Sequence, residues 1–75
     1  MDRLDVRDVP PAQRHARIHE AFDALDSGET LVILNDHDPK PLYYEFYAEV
    51  ASFDADAYRM TKQADDRFVA ELPKR

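Results

Sequence analysis

The stretch Thr30-Leu31-Val32-Ile33-Leu34 decides the fold of this chain of 75 residues. Its four successive aliphatic side chains leave no polar face, so a strand formed here must be covered on both sides. Such strands lie in the interior of a sheet rather than at its edge. We therefore predict that this stretch is the central strand.

The segment before this strand carries a helical pattern. Proline is tolerated in the first turn of a helix, where its missing N–H would be unpaired anyway, so Pro10-Pro11 predicts a helix start. We expect this helix to run to about Asp26. Its apolar stripe, at helical spacing, consists of Ile18, Phe22 and Leu25. Further upstream, Leu4 and Val6 alternate with charged residues, which is typical of a half-buried strand.

Two more patterns follow the central strand. Asp38-Pro39 has the form of an N-cap followed by the first helical residue, which predicts a second helix. The apolar stripe of that helix consists of Leu42, Phe46 and Val50, with its tyrosines at the core and core rim. Alternating apolar residues on both sides of Asp65-Asp66 then predict a hairpin of two strands.

The resulting order is β-α-β-α-β-β. We predict an α+β two-layer sandwich, with two helices on one face of a four-stranded mixed sheet. A chain of this length holds one core, so residues 1–75 are expected to form a single domain. The residues expected to be buried are Leu31, Ile33, Phe22, Ile18, Phe46, Leu42, Phe68 and Leu72.

The composition excludes several function classes. The chain has no cysteine, which excludes disulfides, thiolate metal sites and cysteine nucleophiles. Its net charge of −6 repels phosphate backbones, so we expect no nucleic-acid partner. Aspartate dominates the acids and arginine the bases. This bias suits concentrated salt, which screens acidic repulsion, and it predicts a halophilic protein; an ordinary acidic domain is the alternative. No apolar run approaches a membrane span or signal peptide, so a cytoplasmic location without a membrane partner is expected.

Several motifs resemble those of one family. They are Leu4-Asp5-Val6-Arg7, Pro10-Pro11, Arg14-His15, Gly28-Glu29 and, most specifically, Asn35 to Leu42. Over almost its whole length the chain resembles the domain-of-unknown-function family 2249. More distantly it is similar to the TusA/SirA sulfur-carrier fold. Sulfur transfer is not carried over, because about Pro11 stands where those carriers have their cysteine.

The two resemblances have structural and functional implications. The sulfur-carrier fold implies that the second strand lies between the first and the fourth, with the fourth strand antiparallel and the third at the edge. The family resemblance implies an association with hemerythrin-like or redox proteins and a link to nitrogen-oxide metabolism. Neither resemblance implies a particular cofactor.

Candidate functional residues gather at one predicted edge of the sheet. The first two strands flank a right-handed crossover, so they should run parallel and end at the same edge. Both helices begin there, and helix N-termini at this edge favour ligands, anions above all. The ligand-binding residues predicted at this edge are Arg7, Arg14, His15, Asn35, Asp36, His37, Asp38 and Lys40.

Histidines make a metal site one interpretation of this edge. His15 continues the apolar stripe of the first helix, so we expect it to point inward, in its neutral form, against the loop from Asn35 to Pro39. His15, His37 and Asp36 could then bind zinc or iron. The alternative is structural, with His15 bonded to the loop backbone and His37 exposed. His19 is expected to face solvent.

Basic residues make an anion pocket a second interpretation. Arg7, Arg14 and Lys40 lie near two predicted helix N-termini, but they could equally pair with neighbouring aspartates. Nothing in the sequence combines a nucleophile, a base and a pocket, so we expect no enzyme. Two functions remain: an accessory module that binds a metal, an anion or a partner protein at the His15/His37 edge, or a purely structural or interaction domain without a ligand.

Overall fold

The computed structural model describes residues 2–75. Its regular elements are, in chain order, β1 (Asp2–Asp5), α1 (Pro11–Asp23), β2 (Thr30–Asn35), α2 (Lys40–Glu49), a short 3₁₀ helix (Ala55–Ala57), β3 (Arg59–Ala64) and β4 (Arg67–Pro73). The predicted order and the α+β two-layer architecture are confirmed. Within the described residues, no helix has the length and apolar character that crossing a membrane requires.

The four strands form one mixed sheet in the order β1-β2-β4-β3. The central position of β2 and the strand order implied by the sulfur-carrier resemblance are therefore confirmed. β1 runs parallel to β2, with Asp5 opposite Leu34, whereas β4 is antiparallel to both β2 and β3. Because β1 and β2 are parallel, both end at the same edge of the sheet.

The core lies between the helices and one face of the sheet. Almost every residue predicted to be buried is buried, and Val6, Leu25, Phe53 and Ala70 complete the cluster. Phe68 is the exception and is only partly buried. It pairs with Asn35 at the very end of β2, beyond the last core residue Ile33 of that strand, and Lys62 Nζ lies 5.8 Å from its ring centroid.

Helix α1 ends three residues before the predicted position. The turn tightens there, because the Leu25 N–H donates to the carbonyl of Phe22, so Leu25 remains buried beyond the helix. Gly28 follows with a φ of +88°, a conformation that favours glycine. The Lys74 ammonium donates to the carbonyls of Phe22, Asp23 and Leu25, at 3.3, 3.4 and 2.9 Å, and so caps the helix from the other end of the chain.

The start of α2 differs from the prediction. Pro39 occupies the N-cap position, its carbonyl accepts the Tyr43 N–H at 3.0 Å, and no side chain caps the helix. The predicted N-cap role of Asp38 is therefore wrong. Pro39 is fully buried, and this burial places the helix start one residue later, leaving the Asp38 carboxylate at the surface.

Candidate functional site

Arg14 is the central residue of the predicted edge, and it is buried. It precedes Ile18 by one turn of α1 and shares its core-facing side, so only 6 % of the residue is exposed. Its guanidinium donates to the carbonyls of Val9 and Arg7 at 2.8 and 3.2 Å, to Asn35 Oδ1 at 3.1 Å, and to Asp36 Oδ1 and Oδ2 at 2.8 and 3.2 Å. We call these five residues the Arg14 cluster. It ties the segment after β1 to the end of β2.

The acceptors of this cluster are themselves fixed. Asn35 is buried, and its Oδ1 also accepts the Asp36 N–H at 2.8 Å. The hydrogen bond from Arg14, and secondly that from His37, whose Nδ1 lies 2.8 Å from Asp36 Oδ1, hold the pKa of Asp36 well below its usual range. Throughout residues 2–75, no buried side-chain nitrogen or oxygen lacks a hydrogen-bond partner. The cluster therefore keeps no buried polar atom free for a ligand.

Arg7 is paired in the same manner. Its backbone N–H and its Nε both donate to Asp5 Oδ1 at 3.0 Å, and Nη2 donates to Asp5 Oδ2 at 2.9 Å. The side-chain hydrogen bond is the main reason why the pKa of Asp5 falls to about 2, and it raises the pKa of Arg7. Arg7 and Arg14 are thus engaged by carboxylates, which is the alternative to an anion pocket.

The predicted orientation of His15 is wrong. Its side chain is 48 % exposed, because Arg14 takes the inward position and reaches the end of β2. His15 Nδ1 instead lies 3.0 Å from Glu45 Oε2 of α2. His19, predicted to face solvent, is half-buried: its Nε2 lies 3.1 Å from the same oxygen, and its ring stacks on Phe46 with 4.4 Å between centroids.

The two histidines among the predicted metal ligands consequently contact different carboxylates. His15 contacts Glu45, whereas the exposed His37 contacts Asp36. In the described part of the chain, no group of three His, Cys, Asp or Glu side chains is placed to hold a metal ion. The metal interpretation stays a prediction, without a ligand set to support it.

The remaining predicted site residues, Asp38 and Lys40, lie outside the Arg14 cluster. They line a cavity of about 290 Å³ at the start of α2 and β3, and the other lining residues are Tyr43, Tyr44, Tyr58 and Met60. We call this cavity the tyrosine pocket. The ring of Tyr43 lies 5.5 Å from that of Tyr44 and 4.6 Å from that of Tyr58, at interplanar angles of 68° and 46°. The rings therefore form inclined walls rather than a stack.

The walls of the pocket are open to solvent. Tyr44 is 60 % exposed and Met60 36 %, whereas Tyr58 is partly buried. Burial first, then the negative charge of Asp38 and the proximity of Tyr43, raise the pKa of Tyr58 to about 12. Tyr58 is thus a neutral phenol at physiological pH, and the charged groups of the pocket are Asp38 and Lys40.

The tyrosines of α2 were not predicted as site residues, because aromatic residues on a helix usually belong to the core. A signal was present in Tyr44, which lies off the Leu42/Phe46 stripe. Volume alone does not distinguish the pocket: cavities of about 290 Å³ also lie against Val32 on the sheet and Ala16 on α1. Its aromatic lining does.

Comparison with known proteins gives one match. The family model described as "Uncharacterized conserved protein (DUF2249)" matches residues 3–74, which is nearly the whole chain. No curated protein and no solved structure matches it. The family description names no activity, ligand or partner, so function has to be argued from the geometry.

Proposed function

The chain belongs to the DUF2249 family of uncharacterized conserved proteins, and we propose that it is a non-catalytic accessory module that binds a partner protein through the tyrosine pocket. One observation carries this proposal: a concave surface walled by Tyr43, Tyr44 and Tyr58 and left open to solvent. Tyrosine and methionine are enriched at the centres of protein interfaces, where their apolar area anchors a partner side chain. Met60 adds such a side chain to the wall.

The Arg14 cluster, which forms the half of the predicted edge outside the pocket, supports a structural role rather than a binding role. Its arginine is buried, and its hydrogen bonds are made within the chain. A ligand there would have to displace Asp36 or a backbone carbonyl. The purely structural interpretation therefore fits this half of the edge, and binding is assigned to the pocket.

The chemistry of the pocket favours binding over catalysis. A general acid or base works best with a pKa near the operating pH, and a pKa of about 12 makes Tyr58 a poor proton donor or acceptor there. No histidine lines the pocket, and none of its side chains is a nucleophile activated by a base. A hemerythrin-like or redox protein as the partner stays a prediction from the family resemblance.

The test is a peptide titration followed by NMR of ¹³C-labelled tyrosine rings. Capped peptides of sequence Gly-Ser-X-Ser-Gly, with X as arginine, lysine, leucine, phenylalanine or aspartate, present one side chain at a time. We expect at least one peptide to shift the signals of Tyr43, Tyr44 and Tyr58 saturably.

Two variants locate the binding. Tyr44→Ser removes a pocket wall and should abolish the shifts, with the fold checked by the remaining spectrum. Tyr47→Ser is the matched control, because Tyr47 lies on the same helix, is 69 % exposed and does not line the pocket. If no peptide shifts the pocket tyrosines, or if both variants respond alike, the proposed function is wrong.

A further inference from the structure

We infer that the tyrosine pocket takes a cationic side chain, the ammonium of lysine or the guanidinium of arginine, from a basic segment of the partner. This inference rests on the proposed function and adds the chemical class of the bound group. It combines three features of the pocket: the disposition of its rings, an unpaired carboxylate, and the particular sequence at the start of α2.

The ring geometry provides the first argument. An aromatic face carries negative electrostatic potential, and a cation within about 6 Å of the ring centroid is attracted to it. Tyr43 stands between Tyr44 and Tyr58, and its ring is inclined to both, by 68° and 46°. Ring faces attract a cation whereas ring edges carry positive potential, so the charged group would bind against a face that the inclined rings leave open to the cavity, as on the exposed Tyr44.

The carboxylate of Asp38 provides the second argument. Asp5 and Asp36 are each paired with an arginine, whereas Asp38 forms no ion pair with any residue of the range 2–75. Its negative charge lies at the pocket, because Asp38 is one of the lining residues. With the net charge of −6 of the whole chain, it attracts a basic segment already at long range.

The start of α2 disfavours the opposite ligand. Lys40 and a helix N-terminus could together attract an anion, because free N–H groups point outward there. However, Pro39 at the N-cap and Pro41 at the second helical position have no N–H, so two of the four N–H groups that a helix start usually offers are missing. Lys40 is exposed, and its positive charge opposes an incoming cation.

The experiment compares matched peptides and two charge variants. In the peptide frame Gly-Ser-X-Ser-Gly, arginine is compared with citrulline, which keeps the shape while the charge is removed, and lysine with norleucine, which lacks the ammonium. We expect the charged member of each pair to bind the pocket tyrosines roughly threefold more tightly or better. Asp38→Asn should weaken binding of the arginine peptide by a similar factor, and Lys40→Gln should strengthen it.

The outcomes separate the inference from the proposed function. Equal affinity for arginine and citrulline, with Tyr44→Ser still abolishing both, overturns the cationic ligand and leaves the binding module in place. Best binding of the aspartate peptide, weakened by Lys40→Gln, would identify an anion site instead. Absence of binding by every peptide overturns the inference and the proposed function together.

Discussion

The Arg14 cluster and the tyrosine pocket share one loop and use it in opposite ways. At its first end, the buried Asn35 and the more exposed Asp36 both accept hydrogen bonds from Arg14. Asp38 and Lys40, at its second end, line an open cavity. In the cluster, polar groups that resemble a site satisfy each other. In the pocket, Tyr43 and Tyr58 pack at the rim of the core, and Tyr44 is left facing solvent. The residue types of a segment are thus a poor guide to function until their partners are known.

The largest difference between the two regions should appear in stability. Arg14→Met leaves the carbonyls of Arg7 and Val9 and the side chain of Asn35 without their buried donor, so we expect the free energy of unfolding to fall by about 3 kcal/mol. Tyr44→Ser, at an exposed position, should lower it by about 0.5 kcal/mol or less. Urea unfolding measures both. Arg17→Met, on the exposed side of α1, is the control for Arg14, and an equal loss in the two arginine variants would contradict a structural cluster.

The second-largest effect is expected from acid, which should lower the stability contributed by the Arg14 cluster. The pKa of Asp36 is held low in the folded chain, by Arg14 first and His37 second, compared with about 3.9 when unfolded. A depressed carboxyl pKa stabilises the fold above the unfolded value, and this contribution is lost as the pH falls below it. We therefore expect the free energy of unfolding to decline on the acidic side when it is measured from roughly pH 2 to 7, which spans the titration of carboxyl groups.

Asp36→Asn removes one of the titrating groups and should make that decline shallower, while Asp5, whose pKa is also lowered, retains part of it. Asp65→Asn, at a fully exposed position, should retain it. If the asparagine variant at position 36 loses stability with acid as steeply as the parent, the ion pair with Arg14 does not contribute as described.

Alkali should report on the pocket. The pKa of Tyr58 is raised to about 12, so its proton stays bound in the folded chain when the unfolded chain, with a tyrosine pKa of about 10, releases it. This contribution to stability is present below about pH 10 and is lost as the pH rises toward the folded value. Ultraviolet titration should show one late tyrosine ionisation that disappears in Tyr58→Phe. Its persistence in that variant would assign the late step to another ring.

Salt should give the smallest effect on stability. The net charge of −6 means that acidic side chains repel one another at low ionic strength. Salt screens this repulsion, so the melting temperature should rise from dilute to molar potassium chloride. Binding of an arginine peptide at the pocket should weaken over the same range, since its attraction is screened. A flat or falling melting temperature would favour an ordinary acidic domain over the predicted halophilic one.

The fold was largely predictable because its signals are local and strong. The run from Leu31 to Leu34 correctly indicated an interior strand, and the stripe at Ile18 and Phe22 a helix. The predicted covering of both faces of that strand is wrong, because only Leu31 and Ile33 join the core and Leu34 stays partly exposed. Phe53 was missed as a core residue, since it follows α2 in a turn and is buried by contacts with Phe22, which is distant in sequence, and Phe46, at 6.3 and 5.5 Å between ring centroids.

The site was less predictable because a shift of one position along a helix changes which side chain faces the core. His15 and Arg14 both lie close to the direction of Ile18 on α1, and spacing alone does not choose between them. The choice is made by Asp36, which is distant in sequence and accepts the longer side chain. Likewise, the burial of Pro39 moved the helix start past Asp38 and so changed a predicted cap into a free carboxylate.

The hydrogen bonds of Lys74 bear on the rate at which the protein unfolds. The carbonyls that its ammonium joins lie 49 to 52 residues away along the chain. Contacts of such long sequence separation carry a large loop-closure entropy and tend to form late in folding. Interactions that are absent from the transition state slow unfolding without speeding folding. We therefore expect the cap at the end of α1 to slow unfolding without speeding folding.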